Sequence, residues 1–188
     1  GINIPTGKDS LSMTQKYRDD MVLAPGTVII SAAARVSDIR KIIEPVLADD
    51  PDTHVLYIDM SKDSRKIGGS SFSQILGNPG TETPTVKDPE YFAKVFHFIQ
   101  DLITHGKILA GHDISSGGLI TCLLEMCFAK RSGGIDVDLK AAGEKDPLAL
   151  LFSENPGIIL QVKKADEIEK LLQLNHIHYL NIGHPVED

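Results

Sequence analysis

The stretch Gly111-His112-Asp113-Ile114-Ser115-Ser116-Gly117-Gly118 places an acid, hydroxyls and paired glycines just ahead of an apolar run. Where a helix begins, the first backbone N–H groups lack partners and the dipole is positive, so a glycine-flanked turn lets a phosphate come close. Ser115, Gly117 and Gly118 supply such a turn, and Ser115 can donate to a phosphate or ribose oxygen. Asp113 lies just before it, where a carboxylate suits Mg²⁺, a hard ion that prefers one or two carboxylates plus phosphate oxygens. The same residues also read as a plain capped helix start, with the glycines only turning the chain. His112, a lone histidine beside a turn, is assigned no role.

Other stretches carry weaker signals. In Gly7-Lys8-Asp9-Ser10 the Lys8 ammonium and Ser10 hydroxyl can contact a phosphate, although the earlier glycine and spacing of a P-loop are missing. Gly68-Gly69-Ser70 is either an anion site or a tight connection into a helix. Glu154, beside Asn155-Pro156-Gly157, is a loop acid or a functional one, and Arg35 and Arg65 have no assigned role. Cys122 and Cys127 lie five apart on one expected helix; at roughly 100° per residue they diverge, which excludes a disulfide or a metal pair between them. Their apolar surroundings favour packing over nucleophilic work.

The elements that position these residues follow from periodicity. An apolar run over 28–36 predicts a buried strand, and Ser37 or Asp38 caps a helix to about 48, shortened or bent by Pro45. Strands are expected at 54–60, 108–110, 135–139, 158–162 and 178–182. Short helices fall within 68–77 and 147–152, and longer ones over 119–129 and 165–174. Asp88-Pro89-Glu90 marks a helix start, with a capping acid, a proline that needs no donor and an acid at the positive end, running to about 105. Residues 15–20 show neither period and read as a tail. Alternating helices and strands imply an α+β fold, a mixed sheet layered α/β/α.

Bulk composition narrows the function classes. The chain has 188 residues, 41% hydrophobic and 24% charged, enough for one sizeable core. Twenty-six acids against nineteen bases give a net charge of −7, which disfavours a nucleic-acid partner. No stretch approaches the ~20 apolar residues of a membrane span and no signal pattern opens the chain, so the expectation is a cytoplasmic, membrane-free protein.

The run from Gly111 to Gly118, with the helix carrying Leu124-Glu125-Met126, resembles the His-Asp-x-Ser-x-Gly-Gly signature of the phosphoribosylformylglycinamidine synthase family of purine biosynthesis. Three further stretches agree in order: Pro5-Thr6-Gly7-Lys8-Asp9-Ser10-Leu11-Ser12-Met13, Ile67-Gly68-Gly69-Ser70-Ser71-Phe72-Ser73-Gln74 and Leu151-Phe152-Ser153-Glu154-Asn155-Pro156-Gly157. The resemblance implies ATP- and glutamine-dependent amidation of formylglycinamide ribonucleotide by a larger ligase. It implies that residues 25–188 are the C-terminal domain of its second aminoimidazole-ribonucleotide-synthetase-like repeat, and that 1–24 end the preceding half-domain. Asp113 then matches a magnesium ligand and Ser115 a contact to ATP or ADP, as one wall of a site that is catalytic or auxiliary. Ile114 and Ser116 depart from the family's frequent Arg and second Asp. The implied partners are the N-terminal half-domain, the first repeat, the glutaminase domain and formylglycinamide ribonucleotide, the fragment alone being inactive. Alternatives are a scaffold holding a structural nucleotide, or a related ATP-dependent synthetase of the superfamily, against which the Gly7 to Ser10 run argues.

Overall fold

The strand His54–Asp59 is buried on both of its faces, which requires a layer of helices on each side. The computed structural model describes residues 3–7, 14–23, 29–130 and 132–187. Lys8 and Ser10 lie outside the described residues. The chain divides into a unit spanning residues 1–37 and a larger one spanning 38–188.

In the smaller unit, β1 (Thr14–Tyr17) and β2 (Asp20–Leu23) pair antiparallel through a turn at Arg18, whose φ of +50° is left-handed. The expected patternless tail is therefore a hairpin. Both strands are exposed on both faces, so no burial imposes the alternation that a sequence reading relies on. The expected buried strand over 28–36 does not form across its described residues: 29–36 are irregular and exposed, with Ile29 at 87%. An apolar run becomes a strand only when a neighbour takes its N–H and C=O groups, and none is paired with it among the described residues.

The larger unit holds a five-stranded sheet built from β3 (His54–Asp59), β4 (Ile108–Asp113), β5 (Gly134–Val137), β6 (Gly157–Val162) and β7 (Tyr179–Val186). Its order is β4-β6-β3-β7-β5 and every neighbouring pair is antiparallel. The α+β class and α/β/α layering stand, while the expected mixed sheet is corrected. Strands β3 and β4 run parallel with helices between them, as βαβ alternation suggests, but β6 is inserted between them in the opposite sense.

The helices are α1 (Ser71–Ile75), α2 (Pro89–Thr104), α3 (Gly118–Phe128), α4 (Pro147–Phe152) and α5 (Ala165–Leu174). Leu56 and Ile58 of β3 face α2 and α5, joined by Val95, Ile99, Ile168 and Leu172. Val55 and Tyr57 face the other way, into the core of α3 with Leu119, Cys122, Leu123 and Met126. The i, i+3, i+4, i+7 spacing of those α3 residues makes one apolar stripe. Asp88 caps α2 by accepting from the Tyr91 amide at 2.9 Å, with Pro89 at the first turn.

The helix expected over 38–48 is also absent. Asp38 accepts from the Arg40 amide at 3.1 Å in a local turn, and Pro45 has no N–H and crowds the carbonyl four residues earlier. The segment instead runs beside β4, where the Gly111 amide donates to the Glu44 carbonyl at 3.1 Å. Gln161, fully buried, anchors its end, accepting from the Ala48 amide at 2.8 Å and donating to the Ala48 carbonyl and to Thr53.

Candidate functional site

Strand β4 ends at Asp113 and helix α3 starts at Gly118, so the predicted turn is a strand-to-helix connection. The Asp113 side chain is 81% exposed, and its carboxylate lies 3.7 Å from His112 Nδ1. An exposed carboxylate at a strand end is a suitable hard-oxygen donor for Mg²⁺. Ser115 is half-buried, and its Oγ lies 3.8 Å from Cys122 Sγ. The Cys122 thiol also donates to the Asp113 carbonyl at 3.2 Å, so one buried side chain backs both residues. Burial pushes that thiol up from its usual range, the neutral form in which it can donate.

The two glycines serve backbone shape. Gly117 has φ +91° and Gly118 φ +74°, both left-handed. A Cβ on Gly118 would stand 2.7 Å from the Leu151 carbonyl oxygen, so its absence lets α3 pack against α4. Their amides are already engaged: Gly118 donates to the Ser115 carbonyl at 3.1 Å, and Gly117 to Glu154 Oε1 at 2.8 Å. The same Glu154 oxygen accepts from the Ser71 amide at 2.8 Å. One carboxylate thus meets the positive ends of two helices, α1 and α3.

This contact gives Glu154 a role that its sequence position left open. The Gly68-Gly69-Ser70 stretch forms a tight connection, its amides donating to the carbonyls of Glu82, Pro79 and Ile67. Asn155, passed over in the sequence, is buried and donates to Ser61 Oγ and the Ser64 carbonyl, both at 3.1 Å. The signal for both was their shared place in one motif with Pro156-Gly157. Arg65 lies over the Tyr57 ring at 5.5 Å, and Arg35 sits in the exposed irregular segment.

His112 has partners after all. Its Nε2 is 3.1 Å from Glu125 Oε2, across from β4 to α3. Beside the turn, a cavity of about 390 Å³ is walled by Ile43, Met60, Phe92, Ile103 and Ile114, and Asp113 is the charged residue in its lining. A larger cavity of about 620 Å³ at the start of α5 contains none of the predicted site residues.

A profile of the family described as AIR synthase related protein, C-terminal domain, matches residues 58–187. The chain belongs to that family. Among the relatives of this AIR synthase related domain, human phosphoribosylformylglycinamidine synthase is 36% identical over 190 residues, covering all of this chain and 14% of the human protein. The probable chloroplastic/mitochondrial phosphoribosylformylglycinamidine synthase of Arabidopsis thaliana is 40% identical over 167 residues, covering 88% of this chain and 12% of its own length. The chain therefore spans about one seventh of the relatives it matches. In fold, the domain is similar to Thermotoga maritima PurL complexed with FGAR, at a TM-score of 0.60 and 19% identity over 79% of this chain and 26% of that one. It is similar as well to PurLQS from Thermotoga maritima, at TM-score 0.58 and 15% identity, over 80% of this chain and 24% of that one.

Proposed function

We propose that this AIR synthase related domain is part of a phosphoribosylformylglycinamidine synthase, a ligase that uses ATP and glutamine to amidate formylglycinamide ribonucleotide. The observation that carries the reading is the match of the whole chain to the human enzyme at 36% identity. On this reading residues 25–188 are the C-terminal half of the second repeat and residues 1–24 close the half-domain before it. The remaining half-domain, the first repeat and the glutaminase domain are its partners. A cytoplasmic address belongs to the same reading, although the Arabidopsis relative is named chloroplastic/mitochondrial. Among the described residues no helix is long and apolar enough to cross a membrane.

Within that enzyme, the turn forms one wall of an ATP or ADP site. Asp113, exposed and carrying no closer ion pair than 3.7 Å, fits a divalent ion as a single hard-oxygen ligand. Bound Mg²⁺ supplies neutralisation of phosphate charge. Ser115 offers its hydroxyl to the nucleotide from the half-buried side of the turn. Gly117 and Gly118 contribute the left-handed turn that holds both residues at the mouth of α3, and Glu154 fixes that turn from behind. Lys8 and Ser10 are further candidate phosphate contacts. Amide transfer also needs a nucleophile for glutamine, which the buried Cys122 with its raised thiol does not provide.

Mg-ADP calorimetry on the full-length protein tests the reading. Asp113→Asn should weaken Mg-dependent nucleotide binding about tenfold or more, in the range seen when metal-site groups are removed. A catalytic site loses turnover together with nucleotide. An auxiliary site loses nucleotide and stability while the folded protein keeps its specific activity. Unchanged Mg-ADP binding in the variant overturns the proposed wall.

A further inference from the structure

The His112 ring is held at both of its nitrogens, and the Asp113 carbonyl accounts for only one of them. His112 Nδ1 lies 2.7 Å from the Asp113 carbonyl oxygen, an atom that can only accept, so Nδ1 carries the proton. In the neutral ring Nε2 is then a bare lone pair. It points at Glu125 Oε2, another acceptor, from 3.1 Å. Two acceptors that close need a proton or a metal cation between them. A third ligand atom favours the metal: Cys122 Sγ lies one helical turn before Glu125, and the three ligand atoms fall within 4.8 Å of one another. The sulfur already packs in the core and donates to the Asp113 carbonyl, and with His112 and Glu125 it adds the soft ligand that a thiophilic metal takes.

The geometry points to a binding site for a zinc-class divalent cation formed by His112 Nε2, Cys122 Sγ and the Glu125 carboxylate. Zinc bonds of ~2.0–2.3 Å require the cluster to contract by on the order of 1 Å when the ion enters. That side chain is 42% exposed, giving the ion an entry path and leaving the fourth position to water, while His112 is 14% exposed and held in place. The Nδ1–H bond to a backbone carbonyl is the arrangement that fixes the tautomer of metal-binding histidines. Binding replaces the Cys122 thiol proton, which leaves to solvent, and ends its hydrogen bond to the Asp113 carbonyl. The site differs from the Asp113 wall in donor chemistry, nitrogen and sulfur against hard oxygen, and it stands whether or not Asp113 holds Mg²⁺. Its occupancy would stiffen the β4–α3 junction.

Co²⁺ titration of the full-length protein with Mg²⁺ in excess is the test. The wild-type minus Cys122→Ser difference spectrum should show thiolate-to-cobalt charge transfer in the near ultraviolet, and Zn²⁺ should abolish it. Because Cys122 is fully buried and its serine variant can fail to fold, Glu125→Gln, half-exposed, serves as the second variant. It should keep the charge-transfer band and bind Co²⁺ about tenfold more weakly. A featureless difference spectrum, displacement of Co²⁺ by Mg²⁺, or wild-type Co²⁺ affinity in Glu125→Gln would each overturn the assignment.

Discussion

Glu154 Oε1 accepts the Gly117 amide at 2.8 Å, joining α3's first turn to a residue 37 positions away. Because the same oxygen holds the Ser71 amide, the carboxylate ties two helix starts to one point. Glu154→Ala removes both bonds and leaves two partly buried donors without an acceptor, at a cost of about 2 kcal/mol. Glu154→Gln retains an acceptor oxygen without the charge and should cost less than half as much. Urea midpoints compared at unchanged slope check the order; a Glu154→Gln variant as stable as wild type would exclude a role for the charge, and one as destabilised as Glu154→Ala would exclude a role for the neutral acceptor.

Asp113 separates function from stability. Its side chain lies in solvent, so Asp113→Asn should shift unfolding by no more than ~0.5 kcal/mol, the usual range for surface changes. Nucleotide binding in Mg²⁺ should fall while thermal unfolding of the nucleotide-free protein stays put. A large loss of stability without nucleotide would mean that Asp113 is a structural residue.

The glycines of this chain are unequal. Gly118→Ala combines a left-handed φ of +74° with a Cβ 2.7 Å from the Leu151 carbonyl and 2.8 Å from Phe152 backbone atoms. The strain and the forced separation of α3 from α4 together cost about 3 kcal/mol. Gly77 has a similar φ, +69°, but open space around it, so Gly77→Ala pays only the backbone part, about 1 kcal/mol. Thermal denaturation of the two variants side by side measures the difference, which is the packing contribution at the turn.

What could be read from sequence follows how local each signal is. Helix α2 was legible almost to the residue because Asp88 and Pro89 act within their own turn. The Asp113 turn was legible as a place, since a strand, two glycines and an apolar helix follow one another along the chain. The partners of that turn were not, because Glu154 and Glu125 reach it only through tertiary packing. The same limit explains residues 29–36, where an apolar run has no described strand beside it, and the sheet, where the insertion of β6 between β3 and β4 leaves no local trace.

Acid stability should depend on Asp63. Its side chain is fully buried, with the Lys87 ammonium at 2.7 Å, the Lys66 ammonium at 2.9 Å and the Thr85 hydroxyl at 2.9 Å. Lys87 first, then Lys66, hold its carboxyl well below the ordinary value of 3.8, outweighing desolvation. A folded-state pKa depressed in this way stabilises the fold fully above the unfolded value. The contribution fades as pH falls below about 3.8, because the unfolded carboxyl takes up a proton that the folded one still refuses. Lys87 is 57% exposed, so Lys87→Met should fold while raising the Asp63 pKa toward normal. The variant should be less stable than wild type at neutral pH, and the gap should narrow as pH drops through this window. Urea midpoints that run parallel for the two proteins below pH 3.8 would show that the Asp63 and Lys87 pair does not control the acid limb.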